Sequence, residues 1–223
     1  MFDAIAPRYD LLNHVLSAGL DTRWRRKAIA ALQLPAGARV LDLCTGTADL
    51  AIAATRGAPD AAVIGVDFAG EMLRFGLSKV RAAGLERRVR LIRGDAAAIP
   101  VADRTCDAAT IAFGIRNVAE PEKALAEIAR ALKPRGRLVI LEFGQPRLPG
   151  IRTLYDWYFR YVLPLIGRAV SKHQSAYSYL PASVGTFPPP HEFARMMAAH
   201  DFANIKAIPL TFGIVYLYTA ERA

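Results

Sequence analysis

Two cysteines, Cys44 and Cys106, are too few and too isolated for a disulfide framework or a zinc site, since no CxxC pair and no Cys/His cluster accompanies them. Both are expected to be buried, reduced thiols. No apolar run approaches the roughly 20 residues that span a bilayer; the longest uncharged stretches, such as YVLPLIG at 161–167, stop far short. The opening MFDAIAPRYD carries acids and has no basic flank leading into an apolar core, so no secretory leader is expected and the chain is assigned to the cytoplasm. Internal repeats and low-complexity tracts are also missing.

Present instead are 223 residues, 53% hydrophobic and 22% charged, with a mean hydropathy of +0.19. That length fits one domain with a sizeable core, and the apolar excess leaves some apolar surface for function. Lysines and arginines exceed acids by 29 − 20 = +9, partly concentrated in RWRRK (23–27) and RRVR (87–90). Such charge suits an anionic lipid surface or nucleic acid; a solvated basic face is the plainer alternative.

Residues 1–36 show helical periodicity broken by SAGLD, which predicts two or three helices ahead of the core. From Arg39 the texture changes. RVLDLC, AVIGVD, VRLIRGD, CDAATIAFG and RLVILEFG read as strands, and ADLAIAATR, GEMLRFGLSKVRAAG and EPEKALAEIARALK as the helices between them. This alternation predicts an α/β fold, a doubly wound, mostly parallel Rossmann-like sheet over 37–145. Continuous Val/Ile/Leu runs are what strands buried on both faces show. The aromatic, proline-rich and basic stretch 146–190 reads as an insertion over the ligand edge of the sheet. In 191–223 a short helix precedes two antiparallel edge strands.

In open parallel sheets ligands sit beyond the carboxyl ends of the strands. The loop after the first strand, in LDLCTGTADL (41–50), is therefore a candidate site centred on Gly46 and Thr47. Asp67 closes the second strand 67 − 46 = 21 residues later, the spacing of an acid that grips ribose hydroxyls. A dinucleotide loop needs further glycines against the pyrophosphate, where this chain has Cys44 and Ala48. A ligand with adenosine and no pyrophosphate, S-adenosyl-L-methionine, relaxes that demand and uses helix-terminus donors for its carboxylate. Asp95, ending the third strand, could accept the adenine amino group; its plain alternative is a turn-forming Asp. A helix end, a turn and a fifth strand in LKPRGRLVILEF complete the order of a class I S-adenosylmethionine-dependent methyltransferase.

FDAIAPRYDLLNHVLSAGLDTRWRR, AFGIRNVAEPEKAL, LKPRGRLVILEF, YSYLPASVGTFPPPHEFARMMAAHDF and LTFGIVYLYTAE together resemble the ubiquinone/menaquinone biosynthesis C-methyltransferase family over nearly the whole chain. FGIRN and SYLPASVGTFP are the most specific parts. The resemblance implies cofactor contacts at Thr47, Asp67, Asp95 and Ala96, with no metal. Three positions depart from the family pattern: Ala112 replaces a serine, and Ala48 and Arg135 replace glycines.

The resemblance also implies methylation of a ring carbon of a polyprenylated hydroquinone. Phenols ionise near pH ~10, so a site that activates the ring must stabilise a phenolate. Arg116, a permanent forked cation, is the candidate for that role, Asn117 would orient the ring oxygen, and Tyr9 would stand near the substrate. Glu142, His173 or a water are the candidate proton acceptors; the plain alternative makes Arg116 a structural partner of Asp10 or Glu142. Residues 151–170, with Tyr155, Trp157, Tyr158 and Phe159 among arginines, read as a basic amphipathic segment for the inner, anionic face of the cytoplasmic membrane. A homo-oligomer is compatible with the sequence, and no nucleic-acid partner is expected: the Asn/Asp-Pro-Pro-Tyr stretch of enzymes that methylate base amino groups is missing. Two other classes stay open, a methyltransferase of RNA or another small molecule and a non-catalytic quinone or lipid binder.

Overall fold

The computed structural model describes residues 17–146, 148–162 and 183–223, together with Ala6, Asp10, Asn13 and His14. Tyr9, His173 and residues 163–170 of the expected membrane segment lie outside the described residues. Along the chain run α1 (Leu20–Leu32), β1 (Arg39–Leu43), α2 (Asp49–Gly57), β2 (Ala62–Asp67), α3 (Gly70–Ala82), β3 (Val89–Arg93) and β4 (Cys106–Ala112). A short 3₁₀ turn (Ile115–Asn117), α4 (Pro121–Ala131), β5 (Leu132–Phe143), α5 (Pro149–Trp157), α6 (Pro190–Ala198), β6 (Phe202–Leu210) and β7 (Val215–Arg222) follow.

The strands form one sheet in the order β3-β2-β1-β4-β5-β7-β6. β1 to β5 pair in parallel, and β7 enters antiparallel between β5 and β6. The expected doubly wound sheet with an antiparallel edge is therefore present. β1 and β4 are buried almost end to end, Val40, Leu41 and Ile111 showing no exposure, because helices cover both faces. On one face Trp24, Ala28 and Leu32 of α1 pack on Val139, Leu141 and Leu217, beside α2 and α3 over Val40 and Val63. On the other, Leu125 and Ile128 of α4 and Phe193 and Met197 of α6 pack on Leu138, Ile140 and Tyr218.

Local chemistry explains the helix boundaries. α4 starts on Pro121 with Glu122 in its first turn, where an acid offsets the exposed N–H groups. Arg88, from one of the two basic clusters, donates to the carbonyls of Thr55, Ala58 and Ala61, so it closes the end of α2 instead of adding to a solvated face. β5 starts earlier than the expected turn allows: Leu132 pairs with Cys106, and regular pairing resumes at Arg137 opposite Ala108 after an irregularity. Arg135 sits there at φ 65°, a left-handed conformation that costs a non-glycine residue about 1 kcal/mol. No described helix is long and apolar enough to cross a membrane.

Candidate active site

β1 and β4 are neighbours whose following segments diverge to opposite faces, which opens a crevice at their carboxyl ends. A cavity of about 380 Å³ occupies it, lined among others by Cys44, Gly46, Asp67, Asp95, Ala96 and Asn117. The loop above β1 alternates into left-handed conformation at Cys44 (φ 53°), Gly46 (φ 55°) and Ala48 (φ 65°). A side-chain carbon placed on Gly46 would meet nothing within 4 Å, so the backbone there borders open space that a ligand can approach.

The close packing that extra loop glycines would permit is supplied by glycines on neighbouring elements. A Cβ on Gly114 would lie 2.3 Å from the Cys44 Cβ, and one on Gly65 2.8 Å from the Thr45 hydroxyl. Gly76 of α3 lets that helix approach Ala48, which is fully buried and would stand 3.4 Å from a Cβ there. Beneath the loop, buried Asp42 accepts hydrogen bonds from Thr45 (2.5 Å) and Thr110 (2.7 Å). Burial pushes its carboxyl up from 3.8 to about 6, opposed by those two hydroxyls.

Asp67 ends β2 at the rim of the cavity. Its Oδ2 accepts the Gly46 N–H at 2.8 Å and its Oδ1 the Ala69 N–H at 2.8 Å, so one carboxylate ties the loop to the start of α3. Phe68, the next residue, is 72% exposed beside the cavity, an aromatic face that sequence reasoning passed over although it directly follows the strand-end acid. Asp95 is exposed and accepts the Ala97 N–H at 2.9 Å; the turn it forms and its place on the cavity wall coexist. Cys44 is only half-buried and lines the cavity, a correction to its expected burial; desolvation and then the Asp67 and Asp42 charges push its thiol up, so it stays protonated.

Thr47, the other loop residue of interest, bonds to the N-terminal segment and to α3. Its hydroxyl donates to Asp10 at 2.5 Å and accepts from Lys79 at 3.2 Å. Asp10 thus meets Thr47 and Lys79, and Arg116 finds its partner elsewhere.

At the end of β4, Phe113 adopts φ 57°, rare for a bulky residue and tolerated where surroundings over-determine it. Its carbonyl accepts Arg116 Nη1 (2.7 Å) and Asn117 Nδ2 (3.3 Å). Arg116 Nη1 pairs with Glu142 Oε1 at 2.5 Å, with side-chain exposures of 7% and 0%. Glu142 also accepts the N–H groups of Arg116 (3.3 Å) and Phe143 (2.8 Å). Three donors on two buried oxygens make Glu142 an anchor for Arg116. Arg116 Nε reaches the Ser183 hydroxyl at 3.3 Å, so FGIRN and SYLPASVGTFP, far apart in sequence, meet at one guanidinium. Nη2 is the Arg116 nitrogen with no bond to a described residue.

A second cavity, about 340 Å³ and mostly apolar, adjoins the first across Phe113, which lines both. Trp24, Phe143, Tyr155, Trp157 and Ile214 contribute to its walls. Phe113 stacks on Phe143 with centroids 4.6 Å apart, and the Arg116 guanidinium lies 5.2 Å from the Phe143 ring, so a cation underlies an aromatic floor. Burial pushes the Tyr155 phenol up, opposed by the Arg116 charge.

A family model described as the ubiE/COQ5 methyltransferase family matches residues 1–222. A demethylmenaquinone methyltransferase of Thermus thermophilus is 48% identical over 222 residues, with all of both chains covered. A ubiquinone/menaquinone biosynthesis C-methyltransferase UbiE of Syntrophotalea carbinolica is 48% identical over 223 residues, covering 100% of this chain and 93% of that protein. Among solved structures, a putative S-adenosyl-L-methionine-dependent methyltransferase of Methanococcus maripaludis is similar in fold at TM-score 0.71 and 17% identity, covering 100% of this chain and 94% of that one. The geranyl diphosphate C-methyltransferase of Streptomyces coelicolor gives TM-score 0.68 and 16% identity, covering 92% of this chain and 80% of that one. Matched along its length and nearly half identical to full-length relatives, the chain belongs to the ubiE/COQ5 methyltransferase family.

Proposed function

We propose that this protein transfers a methyl group from S-adenosyl-L-methionine to a ring carbon of a polyprenylated hydroquinone, as the names of its relatives suggest. The observation that carries this reading is the pair of adjoining cavities, one edged by Gly46, Asp67 and Asp95 and the other apolar and aromatic, which meet at Phe113. When bound, the cofactor supplies an electrophilic sulfonium methyl. The first cavity fits it: the open backbone at Gly46 admits close approach, and Asp67 and Asp95 offer acceptors for ribose and adenine. Phe68 offers the adenine a face.

The acceptor ring would lie against Phe113 and Phe143, with its prenyl tail among Trp24, Leu154 and Trp157. Arg116 Nη2 would then donate to the ring oxygen and stabilise it as a phenolate, in a site where low polarity strengthens the charge interaction, with water taking the phenol proton. The ring carbon accepts the methyl, S-adenosylhomocysteine leaves, and the hydrogen on that carbon passes to water as the ring regains aromaticity. Asn117, held by the Phe113 carbonyl and lining the first cavity, would orient the ring. Glu142 and Ser183 hold the guanidinium in place, and alignment of carbon and methyl supplies much of the rate.

The same reading places the protein at a membrane surface. Every residue of α5 is at least partly exposed, Leu154 at 63% and Trp157 at 52%; both line the apolar cavity, and Arg152 and Arg160, close by in sequence, are exposed. A tail dissolved in the bilayer would enter there, with anionic headgroups attracted to the +9 chain. Vesicle flotation tests this part, and binding that ignores anionic lipid would refute it.

The main test supplies radiolabelled S-adenosylmethionine with reduced demethylmenaquinone or the corresponding benzoquinol precursor. Label is expected in at least one product, and label in neither overturns the reading.

A further inference from the structure

A chain of ionic contacts runs from the wall of the apolar cavity to the loop that borders the other. It starts at Asp21, which is 5% exposed and lines the apolar cavity together with Ser17, Trp24 and Arg25. Asp21 accepts from Ser17 (3.0 Å), from His14 (3.2 Å) and from Arg25 Nη1 (2.6 Å). Arg25 also reaches Asp49, the first residue of α2, at 3.3 Å. Asp49 binds Lys79 of α3, and Lys79 in turn pairs with Asp10 at 2.7 Å and meets the Thr47 hydroxyl at 3.2 Å. Asp10 closes the chain by accepting from Thr47 at 2.5 Å. Thr47 is 3% exposed and sits next to Gly46, whose backbone borders the other cavity.

Two facts set this arrangement apart from scattered surface pairs. Its members come from four separate places: the segment before α1, α1 itself, the loop and start of α2, and α3. Asp21 and Arg25, with side-chain exposures of 7% and 13%, are well shielded from solvent, so their charges are weakly screened. A ligand in the apolar cavity touches Ser17, Asp21 and Arg25, and a ligand at Gly46 touches the loop that Asp10 and Lys79 hold from behind. Ordering one end of the chain reduces what ordering the other end must cost.

We propose that this network couples the two cavities, so that each ligand tightens the other, and that Lys79, which bridges Asp10, Thr47 and Asp49, is its positioning residue. The proposal rests on the methyltransferase reading and adds to it a thermodynamic link between cofactor and acceptor. Couplings of this kind amount to roughly 5- to 150-fold in affinity, and the part-exposed Asp10 and Lys79 put this one at about 5- to 10-fold.

Calorimetry of S-adenosylhomocysteine binding to the full chain, with and without a reduced diprenyl naphthohydroquinone kept anaerobic, measures the coupling directly. The wild type is expected to bind S-adenosylhomocysteine about 5- to 10-fold more tightly when the hydroquinone is present. Lys79→Met and Asp10→Asn should each bring that ratio below about 2, and Lys79→Arg should keep most of it. A ratio near 1 in the wild type, or an unchanged ratio in both Lys79→Met and Asp10→Asn, overturns the coupling while leaving the methyltransferase reading intact. Absence of S-adenosylhomocysteine binding to the wild type would instead remove the reading on which the proposal stands.

Discussion

Replacing Glu142 by glutamine removes one charge from a pair whose side chains are 0% and 7% exposed, and leaves the Arg116 guanidinium buried without a counter-charge. Breaking a buried ion pair from one side costs about 3–5 kcal/mol. Glutamine keeps a carbonyl oxygen able to accept from Arg116 Nη1 and the Phe143 N–H, so the loss belongs at the lower end, about 3 kcal/mol. For a chain of this size that corresponds to a melting temperature lower by roughly 6–12 °C, and to a urea midpoint lower by ~1 M at a slope near 3 kcal/mol/M. Turnover should fall as well, by one to two orders of magnitude if Arg116 acts as a single oriented donor to the developing phenolate, with S-adenosylhomocysteine affinity little changed. The double variant Arg116→Met with Glu142→Leu separates the two effects. It removes both charges together and should recover most of the stability, yet turn over about 100- to 1000-fold more slowly than wild type. Glu142→Gln within 0.5 kcal/mol of wild type would refute the ion-pair argument, and turnover by the double variant within tenfold of wild type would refute the role given to Arg116.

Three further outcomes follow from the same geometry. Asp67→Asn cannot accept from both Gly46 and Ala69, and S-adenosylhomocysteine should bind about 30-fold more weakly in calorimetry, the worth of a charge-assisted bond; an unchanged affinity would exclude Asp67 from the site. Burial raises the Asp42 carboxyl to about 6, so the folded state holds a proton between pH 4 and 6 that the unfolded state has lost. Its contribution to stability is therefore favourable below pH 4 and falls by up to about 3 kcal/mol as pH rises through 6. Urea titrations of wild type and Asp42→Asn across that range should diverge accordingly, and parallel curves would count against it. Gly114→Ala places a carbon 2.3 Å from the Cys44 Cβ and should destabilise by about 1–3 kcal/mol, whereas adding Cys44→Gly, which also relieves φ 53°, should restore much of the loss in the same unfolding assay.

Much of the core was legible because its physics is local. AVIGVD became a strand with the expected ends, and EPEKALAEIARALK a helix opened by Pro121, because continuous apolar runs and first-turn acids declare themselves within a few residues. Asp67 and Asp95 could be found from strand ends alone, since the ends of parallel strands lie on the ligand edge. Phe68 and Phe113 were less visible because an aromatic at a strand end is as often core as wall. Ser183 stands inside the SYLPASVGTFP motif, and nothing nearby in sequence ties it to Arg116, 67 residues away.

The sequence by itself determined the alternating strands and helices, the edge of the sheet that binds ligand and the family to which the chain belongs, because these depend on periodicity, spacing and continuous motifs. The tertiary structure alone decided which charges pair. Asp10 and Glu142 were equal candidates for Arg116, and the proximity of β4 to β5 assigned Glu142 while the approach of the N-terminal segment to α3 assigned Asp10 to Lys79. It also showed where the glycines missing from LDLCTGTADL had gone. Close packing needs a small residue on only one of two touching elements, so Gly65, Gly76 and Gly114 on the neighbours serve a loop that keeps Cys44 and Ala48.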